Sequence, residues 1–299
     1  MTDETGVDPM PEPVPDPGAA PGPRLSDAPL VVITRFSYLG KSGWKSDASR
    51  DAELLFAPER LRLRMNLFRS ITLPSLAAQT DQSFTHVILT SNRLPTGPME
   101  ELQAACAAAY PDAGRFVVLA ERPAAASTHL RRHFQKVITG PLVAQAVLDD
   151  DDGLAVDFVF EVRQRLAALD AAGRATGPGR FAFVSFQNGY GCEFGLPDAG
   201  PATASLYAHR YPYINCGLTM VAAPGEANIL GIRHRKTPLL HDPVMVRGNR
   251  MFLRSVHGTN DSRVARTGRW KPVDAWRENE DIRSRFPWLL DAGAFWNQG

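Results

Sequence analysis

Four short apolar runs recur along the first half of the chain, each separated from the next by enough residues for a helix. They are PLVVITRF (29–36), THVILT (85–90), RFVVLA (115–120) and LVAQAVL (142–148). Continuous apolar runs of this length, several of them rich in β-branched residues, read as strands buried on both faces. Between the first two, ERLRLRMNLFRSITLPSL places Leu61, Met65, Leu67, Phe68 and Ile71 at roughly helical spacing, with Pro74 expected to end the segment. A helix is predicted over 127–138, and Val159, Val162, Leu166 and Leu169 define one face of another. Strands alternating with helices imply an α/β fold with a mostly parallel, doubly wound sheet, helices on both faces and right-handed crossovers. The second half is mixed: FAFVSF (181–186), CGLTMVAA (216–223) and MFLRSV (251–256) read as strands among longer loops.

At 299 residues the chain can bury a sizeable core. We read residues 1–28 as a disordered, acidic, proline-rich tail and 29–299 as one domain. A change in pattern near residue 175 divides that domain into halves of about 29–175 and 176–299. The start of the chain has no basic and apolar signal-peptide pattern, and no apolar run reaches the roughly 20 residues of a spanning helix. Peripheral membrane contact is left open. A formal net charge of +1 gives no global field that would attract nucleic acid. Three widely spaced cysteines, Cys106, Cys192 and Cys216, suit a reducing cytoplasm and argue against a disulfide framework or zinc cluster.

The fourth strand runs directly into Asp149, Asp150, Asp151 and Asp152, and Gly153 stops the run. Ligands of open α/β sheets bind beyond the carboxyl ends of the strands, where these carboxylates stand. Capping the helix that follows needs one carboxylate, not four. An EF-hand fails on spacing, since position 5 would be Gly153 and position 12 Phe160. Hard carboxylate oxygens in a cluster suit Mg²⁺ or Mn²⁺ together with a substrate phosphate. Two other motifs fail. LGKSG (39–43) has Arg35 where a P-loop needs glycine, and GYGCEFG (189–195) lacks dinucleotide-site spacing. By position, Thr34, Arg35 and Phe36 at the end of the first strand open onto the same crevice, with Phe36 either stacking on a base or buried in the core.

The blocks RLRLRMNLFRSITLPSLAAQTDQSFTHVILTSNRLP (60–95), VLDDDDGL and FLRSVHGTNDS (252–262) together resemble the putative rhamnosyltransferases, nucleotide-sugar-dependent enzymes of the GT-A type. The resemblance spans roughly 30–262. It implies a GT-A-like (Rossmann-like) fold and transfer of a single sugar from a nucleotide-diphosphate donor to a saccharide or glycolipid acceptor. It assigns the D-x-D-D signature to Asp149, Asp151 and Asp152, with Asp150 in the variable place. Asp149 and Asp150 would face the nucleotide, while Asp151, Asp152 and His257 would hold Mn²⁺ or Mg²⁺. Where related chains carry arginine this one has Val147, so Arg131 or Arg132 is a candidate for the missing phosphate charge, an exposed helix face being the other reading of either. The Q-x-x-R-W motif of processive synthases is absent, because Arg266 stands where glutamine is required.

An inverting transferase needs a carboxylate base beside the acceptor hydroxyl. Asp242, next to His241, is the first candidate and Glu193 the second; an Asp-Pro turn is the other reading of Asp242. The competing functions are a metal-dependent phosphohydrolase, pairing the aspartate run with His241–Asp242 as a two-metal site, and a silent nucleotide-sugar binder. Helical HD-type hydrolases fit poorly with alternating strands.

Overall fold

The computed structural model describes residues 22–41, 51–174, 176, 179, 181–194, 204–257 and 270–291. Parallel strands β1 (Leu30–Arg35), β2 (Phe84–Ser91), β3 (Phe116–Glu121) and β4 (Val143–Val147) form the first half of one sheet, in the order β3-β2-β1-β4. Every side chain of β1 is buried, and alternate ones enter different cores. Leu30 and Val32 join one apolar cluster, Val31 and Ile33 another on the opposite face. The first cluster receives α2 (Pro58–Leu67), α3 (Leu73–Ala77), α4 (Thr96–Ala109) and α6 (Phe158–Ala171), which follow the four-residue α1 (Ala52–Leu55). The second receives Leu130 and Phe134 of α5 (Ala126–Val137). The architecture is the α/β, doubly covered sheet expected from the strand pattern.

Beyond β4 the sheet turns antiparallel. β8 (Thr219–Ala222) pairs with β4, then come β6 (Ala182–Glu193), β7 (Ser205–Arg210) and β10 (Lys271–Pro272). β9 (Val244–Val256) runs parallel to β6 and also holds the two-residue β5 (Gly153–Leu154). The two halves therefore share one sheet.

Several expectations need correction. Part of the expected tail is packed: Leu25 is fully buried, and the Leu25 and Ser26 N–H groups donate to Asp170 at 2.7 and 2.9 Å. The rest of the expected tail, 1–21, lies outside the described residues, as do 42–50 and 258–269. Pro74 does not end its helix. A π turn over Phe68–Thr72 widens the helix just before it, and the proline then sits in the first turn of α3, where a missing N–H costs little. β6 continues through GYGCE, which reads locally as a loop. Its glycines are strand positions where a Cβ would overlap Phe252 at Gly189 and Trp270 at Gly191.

Candidate active site

β1 has β2 on one side and β4 on the other, so the chain leaves it in opposite directions at this point. Such a reversal opens a crevice at the carboxyl edge. The Leu148 N–H still bonds the Ile33 carbonyl at 3.0 Å, extending β4 alongside β1 and bringing Asp149 next to Arg35. The Arg35 Nη2 donates to Asp149 Oδ1 at 2.5 Å.

The other three carboxylates turn inward. Asp150, Asp151 and Asp152 are 0%, 5% and 7% exposed, so each needs an internal partner. Helix α2 supplies one. Arg64, itself 2% exposed, clamps Asp150 with Nε (3.2 Å) and Nη2, while its Nη1 donates to Asp151 Oδ2 at 2.8 Å. The π turn instead secures the backbone of the run. Eight residues of regular helix make about 2.2 turns, which would set Thr72 off the Arg64 face. The wider turn takes back part of that offset, and Thr72 Oγ1 donates to the Asp152 carbonyl at 2.9 Å. β9 and the residue after it supply the rest: the Ser255 N–H donates to Asp152 Oδ1 at 2.9 Å, and His257 Nε2 lies 3.0 Å from Asp151 Oδ2. Gly153 ends the run because a Cβ there would overlap the ring of Trp288, whose Nε1 donates to the Leu154 carbonyl at 3.2 Å.

This packing separates the carboxylates electrostatically. Burial pushes Asp150 up to about 7, against the pull of Arg64. Burial also raises Asp152 well above the ordinary range, helped by the charges of Asp151 and Asp149. For Asp151 burial is outweighed by Arg64 and His257, which hold its carboxyl below the usual range. Asp151 is thus the buried carboxylate kept ionised.

Among the described residues no group of three or more His, Cys, Asp or Glu side chains is disposed to hold a metal ion. Two of the expected ligands do stand together. His257 Nε2 lies 3.0 Å from Asp151 Oδ2 as its hydrogen-bond partner, and that oxygen also accepts from Arg64 Nη1 at 2.8 Å, so these are the two side chains that would hold a cation. Asp152 instead turns an oxygen to the Ser255 N–H.

The structure therefore joins Arg35, Asp149, Asp150, Asp151, Asp152 and His257. Asp150, expected in the variable place and facing the nucleotide, is instead the most deeply buried of the four and is clamped by Arg64. Glu193 lies at the same edge, as the register partner of Val256, the residue before His257. Thr34 and Phe36 are not brought to the crevice. Both are fully buried, Thr34 against His86 Nε2 at 2.9 Å and Phe36 against the Phe68 ring at 5.5 Å. Arg131 and Arg132 are exposed on α5 and pair with none of the aspartates. Asp242 is 74% exposed and pairs with Arg174, beyond the far end of α6. The 13 residues of β9, at about 3.3 Å each, put roughly 40 Å of strand between it and His257, so the structure brings neither Asp242 nor His241 to the aspartate run. Arg64 and Thr72 escaped the sequence reading. The signal for Arg64 is a cation on the same helical face as Leu61 and Phe68, three and four residues away.

No curated protein shows significant sequence similarity. The crystal structure of S. aureus TarS 1–349 superposes with a TM-score of 0.40 at 10% identity, over 76% of this chain and 60% of that one. The present chain thus spans about three fifths of that structure's length. A family model described as "putative rhamnosyl transferase" matches residues 29–269, most of the chain and all of the aspartate site. Because that match covers well over half of the sequence, the chain belongs to the putative rhamnosyl transferase family, a family of glycosyltransferase enzymes.

Proposed function

We propose that the protein transfers a single sugar, rhamnose by its family, from a nucleotide-diphosphate donor to a saccharide or glycolipid acceptor with inversion, and that it requires Mn²⁺ or Mg²⁺. The observation that carries this reading is the aspartate run at the β1/β4 crevice, where one carboxylate faces out and one buried carboxylate is held ionised beside His257. Asp149, aligned by Arg35, faces the nucleotide. Asp151 and His257 would hold the cation together with oxygens of the diphosphate. Bound there, the ion supplies Lewis-acid neutralisation of the charge that builds on the leaving diphosphate. Arg64 fixes Asp151 and opposes its protonation. Glu193, at the same edge, is the base that takes the proton of the acceptor hydroxyl.

The buried, free cysteines suit the reducing cytoplasm. No helix of the described residues is long and apolar enough to cross a membrane. The test is release of nucleoside diphosphate from a panel of nucleotide sugars, with and without acceptor and Mn²⁺. Asp151→Asn is expected to lower Mn²⁺-dependent turnover at least about a hundredfold, the equivalent of several kcal/mol of lost charge stabilisation. Release that ignores acceptor would mean a hydrolase, and no release with any donor a silent binder.

A further inference from the structure

On the second face of the sheet, a cationic and apolar surface stands apart from the aspartate site. The segment Arg233–Lys236 leads into the short helix α7 (Thr237–Leu240). Thr237 is fully buried, and the His241 ring packs 5.3 and 4.9 Å from the rings of Phe181 and Phe183, so both ends of the helix are fixed. Between these anchors the helix presents Leu239 and Leu240, 80% and 68% exposed. Among the described residues, neither leucine belongs to an apolar core cluster. Arg233, Arg235 and Lys236 are exposed immediately before them.

Helix α5 covers the same face, since its Leu130 and Phe134 share a core cluster with Phe183 and Ile229. The Asn228 side-chain amide also donates to the Ser127 carbonyl at 2.7 Å, joining the two segments. On its outer side α5 exposes Arg131, Arg132 and Lys136, followed by Val137 at 48%. The acids within 223–243 are engaged elsewhere: Glu226 accepts from the Gly179 N–H at 2.6 Å, and Asp242 pairs with Arg174.

We propose that this face docks onto an anionic lipid surface, with Leu239 and Leu240 entering the headgroup region and the flanking arginines and lysines facing lipid phosphates. Cations beside a small apolar tip suit an interfacial site, where the two contributions add. A soluble polyanion would have no use for the leucines. A protein partner would need a wider apolar area than two leucines and a valine provide. The docking does not depend on the transferase reading, and its test does not use activity.

The full chain would be sedimented with vesicles of phosphatidylcholine alone or mixed with phosphatidylglycerol, at low and high salt. Binding to the mixed vesicles is expected, weakened by salt over the range in which the Debye length contracts. Leu239→Ser with Leu240→Ser should lower partitioning about tenfold or more. Replacing Arg233, Arg235 and Lys236 with serine should lower it roughly a hundredfold, at about one kcal/mol per charge. Both variants alter exposed positions, so their melting temperatures should match the parent's. No binding to mixed vesicles, or equal binding with the leucines replaced, overturns the proposal. So does self-association in sedimentation velocity that disappears with the leucines, which would make the face a protein interface.

Discussion

The chain carries acidic sites at opposite ends of β9, the run Asp149–Asp152 near its carboxyl end and His241–Asp242 just before its start. Both join carboxylates with histidine, and both look like chemistry in the sequence. At the first, three carboxylates lose almost all contact with water and each acquires an internal partner. At the second, Asp242 stays 74% exposed with an exposed arginine beside it. A surface pair of that kind contributes roughly 0–1 kcal/mol. Burial makes partners obligatory, and obligatory partners fix geometry and charge state. The difference between a site and a surface turn here is the loss of water.

The largest expected effect comes from breaking the buried network. Arg64→Leu leaves Asp150 and Asp151 without their guanidinium, and about 3–5 kcal/mol of stability should be lost, read from denaturant unfolding. Asp150→Asn, which keeps shape but removes a charge, should cost about 1–3 kcal/mol. If both variants unfold with the parent, burial does not distinguish the two sites and the contrast collapses.

Acid sharpens the contrast between interior and surface histidines. His86 is fully buried between Thr34 and Tyr110, and burial lowers its pKa to about 3. The unfolded chain, with histidine near 6.5, binds the proton first, so stability from His86 is full above pH 6.5 and is lost as pH falls toward 3. The slope is roughly 1.4 kcal/mol per pH unit inside that window. Stability of His86→Gln, measured from pH 7 to 4.5, should fall less steeply than the parent's; parallel curves would show that His86 takes up its proton without unfolding. The smallest effect belongs to Asp242→Asn. Stability should stay within about 0.5 kcal/mol of the parent and turnover should be unchanged. A large loss of turnover would restore Asp242 as the base and require β9 to bend far from its present course.

Much of the fold was legible because its signals are local. The parallel strands fall within a residue or two of their apolar runs, and α5 occupies Ala126–Val137 where 127–138 was expected. Helix α4, with only Leu102 and Cys106 buried, has too thin an apolar face to announce itself. The extension of β6 past Phe186 was hidden by glycines whose meaning is the approach of Phe252 and Trp270 from other strands. Pro74 misled because its usual meaning as a helix end depends on the turn before it, and that turn is widened.

The sequence by itself determined that the chain alternates strands with helices, that four carboxylates follow a buried strand, and that they stand at a carboxyl edge where ligands bind. Those conclusions need only periodicity and adjacency, which are properties of neighbouring residues. The partners of each carboxylate were decided by tertiary structure. Arg64 lies 86 residues from Asp150, His257 lies 106 from Asp151, and Ser255 lies 103 from Asp152. Their meeting depends on a π turn, a strand register and a tryptophan packed over Gly153. A carboxylate's charge state follows from what surrounds it in space, and one-dimensional spacing does not encode the surroundings.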